Sequence, residues 1–370
     1  MNKYLLPPGF KDELHENVKT EHVYKNKIID LFLINGFELV KTPLIEYYDN
    51  DIHKNNFIFK DKEENKFYTF RDDITLQVAR LANSRLKNKF RPVKLCYYGD
   101  VIRKKGTMLR PERQFLQVGA ECIGEENINS DIEIIDLAYQ SLEIVGIKNL
   151  TIELSSSAFL NYLTKKISNQ QKLKNIFKFI KRKDLTNCLK LIDPSLHQYL
   201  SKLLSCSGIF EKKQNQLIEL SVNKDLEKIS NDIILIYKKL KNKHNKINFI
   251  LDLTEASYFE YHTGIRFTFY AKNVRGEIAR GGRYFTNKNN IESSTGFTCY
   301  MDTIIRASSY NERFKKVLLP YSLSENIKKK LIKKGYILET FFGDLKDIKK
   351  TAKQKKINYY LINNKILSIN

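Results

Sequence analysis

The sequence reads as an α+β chain, with a large domain over residues 1–310 built on an antiparallel sheet and a small α/β module over 311–370. Three observations predict this. Two eleven-residue β-rich runs, 93–103 (VKLCYYGDVIR) and 113–123 (RQFLQVGAECI), flank a polar loop with no helical crossover between them, as an antiparallel pair requires. Residues at about 157–246 are Lys-rich and helical in period, which reads as a helical insertion. From 315 onward short apolar runs alternate with Lys-rich helical ones: strand, helix, strand, helix, strand.

Taken in order, residues 18–36 place Val23, Ile28, Leu31 and Phe32 near helical spacing and end on Gly36, which suits the left-handed position after a helix. FELVKTPLIEYYD follows, a strand interrupted by Pro43, and proline suits a sheet edge, a bulge or a subunit seam. Residues 72–87 form a second helix, with Asp72 or Asp73 as N-cap and Ile74, Val78 and Leu81 on one face. In the second long strand, period-two alternation sends Leu116, Val118, Ala120 and Cys122 to one face. Arg113, Phe115, Gln117, Gly119 and Glu121 go to the other. Gln and Glu either side of a glycine suit either the solvated side of a sheet or the floor under a small polar ligand, with Gly119 leaving room for it. A helix at 130–145, a strand at 149–154, the insertion, and strands at 247–254, 263–272 and 276–285 come next, and a helix from about 296 to 309 closes the large domain.

The 370 residues carry 64 Lys+Arg against 42 Asp+Glu, a net charge of +22 that proposes a polyanionic partner. Its distribution argues otherwise. Residues 161–250 hold 19 basic against 7 acidic residues and 311–370 hold 15 against 5, while the rest of the chain has 30 of each. Only 14 of the cations are Arg, the residue that supplies bidentate forks to phosphate. A Lys-, Asn- and Ile-rich sequence is what drift in an AT-rich coding region leaves on solvated surfaces. The five cysteines (Cys96, Cys122, Cys188, Cys206, Cys299) are odd in number and never in a CxxC pair, so neither disulfides nor a zinc site is expected. No apolar leader or membrane-length run is present, and the expectation is a cytoplasmic protein.

Five blocks, FRDDITLQVAR (70–80), YYGDVIR (97–103), RQFLQVGAECIG (113–124), YHTGIRF (261–267) and ARGGRYF (279–285), resemble the histidyl-tRNA synthetase family in order and spacing. The YHTG block is similar to that of the paralogues that serve as regulatory subunits of ATP phosphoribosyltransferase. The resemblance implies a class II aminoacyl-tRNA synthetase-like fold, a six- or seven-stranded mostly antiparallel sheet flanked by helices, dimeric through the first helix and the Pro43 strand. It implies that the C-terminal module is a truncated anticodon-binding domain. It also implies a histidine pocket formed by Asp73, Thr75, Arg103, Gln117, Glu121, Tyr261, His262 and Tyr284. Asp73 and Thr75 would hold the α-ammonium, Glu121 and Gln117 the imidazole, and Arg103 the free carboxylate.

Departures from the synthetase pattern bear on activity. Aligned through Thr263–Gly264, Ser257 stands where synthetases carry an arginine, Glu260 replaces an Asp and His262 a Tyr. Thr303 stands where the third class II motif ends in the arginine that grips ATP. Two missing phosphate clamps, each worth about 2–4 kcal/mol in the transition state, make adenylation improbable. The implied function is a regulatory subunit of ATP phosphoribosyltransferase, with no catalytic residue, cofactor or metal. It would bind L-histidine, mediate feedback on the first step of histidine biosynthesis, and assemble as a homodimer within a hetero-oligomer with the short-form catalytic subunit. The rivals are a diverged histidyl-tRNA synthetase, testable by ATP–pyrophosphate exchange, and an RNA-binding protein using the basic helices, testable by the salt dependence of binding.

Overall fold

The computed structural model describes residues 4–49, 56–165, 167–254, 262–286, 292–308 and 315–369, apart from the side chains of 262 and 263. It divides into two units, residues 1–309 and 310–370.

In the first unit, chain order runs α1 (His15–Ile34), β1 (Glu38–Val40), β2 (Ile45–Tyr47), β3 (Ile58–Lys60), β4 (Phe67–Phe70), α2 (Thr75–Asn83), β5 (Val93–Ile102), β6 (Gln114–Ile123), α3 (Ile128–Ile144) and β7 (Leu150–Ser156). The insertion holds α4 (Ser157–Thr164), α5 (Gln170–Lys181), α6 (Leu185–Leu189), α7 (His197–Ser205), β8 (Ser207–Ile209), α8 (Phe210–Glu219) and α9 (Lys224–Lys243). Then come β9 (Asn248–Asp252), β10 (His262–Ala271), β11 (Ala279–Phe285), β12 (Ser293–Tyr300) and α10 (Met301–Ala307).

Nine strands form one sheet in the order β1-β5-β6-β12-β11-β10-β7-β9-β8. Only β1–β5 and β7–β9 are parallel pairs, so the sheet is mostly antiparallel, but it is wider than the six or seven strands expected. Part of the extra width is β8, which lies within the insertion and pairs with β9, so the insertion is not wholly helical. Three of its helices start on side-chain caps: Asn169, Asp184 and Asn223 each accept from an amide three residues on. The predicted helix from 296 begins instead at Met301, because Ser293–Tyr300 is a strand buried along its whole length and so shows no alternation. The Pro43 strand is two strands. β1 lies at the edge of the large sheet, and β2 joins β3 and β4 in a separate three-stranded sheet.

Helix α1 ends as its sequence suggests. Gly36 has φ +81°, the Phe37 amide donates to Phe32 O at 3.1 Å, and the Gly36 amide donates to Leu33 O at 3.0 Å, closing a Schellman motif with the Phe32 and Phe37 rings together. The buried side of α1, including Tyr24, Ile28 and Phe32, packs with α3 and the inner face of β6 (Leu116, Val118, Ala120, Cys122) in the main core. The opposite sheet face carries a smaller core of Ile74, just before α2, and Val78 within it, against Leu95, Tyr97, Phe115 and Tyr300. This second face holds the candidate site.

The second unit is a four-stranded sheet, β14-β13-β15-β16, from β13 (Lys315–Pro320), α11 (Glu325–Lys333), β14 (Tyr336–Phe341), α12 (Ile348–Gln354), β15 (Tyr359–Ile362) and β16 (Lys365–Ser368). The fourth strand was not expected. Asn363 and Asn364 both adopt positive φ, the requirement of a tight two-residue hairpin, and turn the chain back on β15.

Candidate functional site

Three strands and one helix start converge on a small cavity whose lining includes Asp73, Thr75, Glu121, Arg280, Tyr284 and Thr298. Strand register explains the convergence. Glu121 on β6 pairs with Gly296 on β12, which pairs with Gly282 on β11, so these residues share one row across the sheet. Tyr97, Gly119, Thr298 and Arg280 form the next row.

Glu121 is the centre. It is fully buried, with Oε1 accepting from Thr75 Oγ1 at 3.0 Å and Tyr97 OH at 3.1 Å, and Oε2 accepting from Tyr284 OH at 2.9 Å. Burial pushes its carboxyl up to about 8, with the hydroxyl donors of Tyr284 and Thr75 opposing and the charge of Asp73 reinforcing the rise. Gly296 makes this placement possible, since a Cβ there would lie 1.7 Å from Glu121 Oε2. The two long-strand faces thus separate as alternation predicted, and neither Gln117 nor Glu121 faces solvent.

The role expected of Gly119 is corrected. A Cβ at that position would meet the Tyr97 ring and hydroxyl at 2.5 Å, so the glycine makes room for Tyr97 and not for a ligand. Tyr97 was missed in the sequence, though a tyrosine directly opposite a glycine on a paired strand is a readable signal. Its hydroxyl also meets Thr298 Oγ1 at 2.8 Å and Thr75 Oγ1 at 3.0 Å, and burial raises its own titration well above the ordinary phenol value.

At the start of α2, the Thr75 amide donates to Asp73 Oδ1 at 2.9 Å and the Ile74 amide donates to Gln117 Oε1 at 3.2 Å. Asp73 therefore holds the first turn, although the capping position itself is Ile74. Gln117 Nε2 is buried and has no hydrogen-bond partner, a costly state for an amide, but Gln117 is not on the cavity's lining. Arg103 does not line the cavity. Its guanidinium stacks 4.9 Å over Phe115 and lies 6.0 Å from the Tyr300 ring. Ser257, Glu260 and Tyr261 lie outside the described residues, as does the side chain of His262, whose backbone pairs with Tyr284.

Residues 9–304 match the histidyl-tRNA synthetase family model. The "ATP phosphoribosyltransferase regulatory subunit" of Rhodospirillum centenum is 32% identical over 86% of this chain and 84% of its own length. The chain belongs to the regulatory-subunit branch of the histidyl-tRNA synthetase family. As a member of that branch it is a regulatory subunit and not a catalytic one. The fold agrees. A Bacillus halodurans protein described as an ATP phosphoribosyltransferase regulatory subunit/histidyl-tRNA synthetase superposes with TM-score 0.78 at 20% identity, covering 95% of this chain and 97% of that one. The ATP phosphoribosyl transferase (HisG:HisZ) complex from Thermotoga maritima contains a chain similar to this one, with TM-score 0.59 and 20% identity over 78% of this chain and 98% of that one.

Beside the pocket, the regulatory subunit has rebuilt the place where its synthetase cousins keep a phosphate-gripping arginine. Thr303 is buried and accepts from Arg110 at 3.1 Å. Arg110 is itself held by Asp302 Oδ2 at 3.2 Å and Glu277 Oε1 at 3.3 Å, and lies 3.8 Å over the Tyr300 ring. Arg306 pairs with Glu112 at 2.8 Å and Asp302 at 3.5 Å. Both arginines nearest Thr303 are thus met by carboxylates. Among the described residues no group of three or more His, Cys, Asp or Glu is placed to hold a metal, and no helix is long and apolar enough to cross a membrane.

Proposed function

We propose that this chain binds free L-histidine in the cavity around Glu121 and, joined to a short-form catalytic subunit of ATP phosphoribosyltransferase, supports the first step of histidine biosynthesis and conveys its feedback inhibition. The observation that carries this reading is the buried Glu121 with its three hydroxyl donors. A carboxyl poised near neutrality accepts an imidazole N–H or shares a proton with the ring. The pairing of Arg110 and Arg306 with Glu277, Asp302 and Glu112 around Thr303 favours a ligand without a triphosphate. The relatives' name and the Thermotoga complex support the catalytic partner, and a homodimer within that assembly is part of the proposal.

Feedback requires that histidine bind one assembly state more tightly than another, since equal affinity shifts nothing. The test is phosphoribosyl transfer by the organism's short catalytic subunit with and without this chain and with and without histidine. Stimulation by the chain and its reversal by histidine are expected; no effect of either overturns the reading. Histidine-dependent ATP–pyrophosphate exchange by the chain alone would favour a diverged synthetase instead.

A further inference from the structure

We propose that the groove between the β5–β6 loop and the β10–β11 turn is where this chain grips the short-form catalytic subunit, taking from it an acidic segment that carries one large apolar side chain. This rests on the partnership proposed above and adds to it the surface that forms it.

One wall is the loop over residues 104–111 and the other the turn over 272–276, and the groove between them, of about 280 Å³, is lined by Met108, Leu109, Pro111, Val274 and Arg275 among others. That is more room than the ~150 Å³ that holds a benzene ring, enough for one aromatic side chain or a pair of aliphatic ones. Met108 is fully exposed and Leu109 more than half so, apolar groups left in water at a loop tip. The loop is braced in place. The Thr107 amide donates to Arg110 O at 2.7 Å, and the Arg110 guanidinium donates to Glu277 O at 2.9 Å and to Asp302 Oδ2 at 3.2 Å. On the far wall Gly276, at φ +88°, comes so near that a Cβ there would sit 3.3 Å from Leu109 O. A groove formed before binding loses little freedom when it is filled. Its charges choose the occupant. The acids beside it, Glu112, Glu277 and Asp302, are already paired with Arg110 and Arg306. Lys104, Lys105, Lys272 and Arg275 are exposed and form no ion pair among the described residues, so a partner segment with carboxylates around its apolar tip complements them. Protein is favoured over nucleic acid because the described lining holds no aromatic ring on which a base could stack, whereas methionine and arginine are enriched in protein interfaces.

The test is calorimetric titration of the full chain with the organism's short catalytic subunit at two salt concentrations. Because Met108 is fully exposed, Met108→Asp leaves the fold alone, and it should weaken association about 10- to 100-fold. Arg275→Glu should weaken it about 10-fold and flatten its salt dependence, while Lys174→Glu on the exposed side of α5 leaves both unchanged. The assignment is overturned if Met108→Asp and Arg275→Glu bind as tightly as the unaltered chain, if Lys174→Glu weakens binding equally, or if single-stranded RNA displaces the subunit and loses its hold in the same two variants. If the unaltered chain does not associate with the catalytic subunit at all, the partnership proposed above falls and takes this surface with it; association that survives the groove variants strikes this inference alone.

Discussion

Replacing Glu121 by glutamine separates the cost of this carboxyl to the fold from its use to a ligand. Burial moves its titration from the ordinary 4.5 to about 8. Between those values the folded chain keeps a proton that the unfolded chain has released, so stability falls as pH rises through the window and levels off above it. At about 1.4 kcal/mol per pH unit, the wild-type protein forfeits at most about 5 kcal/mol between pH 4.5 and pH 8 on account of this one group. Glu121→Gln keeps the shape and removes the charge. Urea unfolding of both proteins at pH 5 and pH 8.5 should therefore show the variant gaining on the wild type by several kcal/mol at the higher pH, while other titrating groups cancel in the comparison. Histidine binding should be lost in the same variant, because the amide cannot become the anion that stabilises an imidazolium. Parallel pH profiles for the two proteins would refute the buried-acid argument, and undiminished histidine binding would refute the pocket.

Three further outcomes follow from the same geometry. Gln117→Ala should abolish histidine binding by calorimetry while leaving association with the catalytic subunit intact on gel filtration. Gly296→Ala puts a methyl into the Glu121 carboxyl and close to Ala120 O, so it should destabilise the fold by about 1–3 kcal/mol in thermal or urea unfolding and weaken histidine as well. Arg110→Ala strips the cation from Asp302 and Glu277, and a loss of about 3–5 kcal/mol in unfolding free energy is expected, with histidine affinity retained.

What could be read from the sequence was local. The alternation of β6, the glycine stop of α1 and the helical insertion each depend on residues a few positions apart, and the structure contains all three. Strand β12 was invisible for a physical reason: buried on both faces, Ser293–Tyr300 has no polar alternation, and its Ser, Thr and Gly content does not resemble a core strand. Missing it hid the neighbour that joins β6 to β11. Without that order, Thr75, Glu121 and Tyr284 have no reason to meet, being 46 and 163 residues apart in the chain. Only the family resemblance grouped them. Arg280 escaped because alternation assigns a face within one strand but cannot say which strand lies opposite.

The net charge of +22 is sharpened by the same structure. A protein that gripped a nucleotide in this fold would concentrate guanidinium groups around Thr303. Here the arginines that approach it, Arg110 and Arg306, are met by Glu277, Asp302 and Glu112. The positive excess lies instead in the insertion and the C-terminal module. Electrostatic attraction between exposed charges decays within about 10 Å at ordinary salt, so an overall positive balance does not by itself substitute for a phosphate clamp. On the proposed reading the chain keeps the amino-acid half of a synthetase site while Arg110 and Arg306 are met by carboxylates, a division of labour that suits a sensor of free histidine.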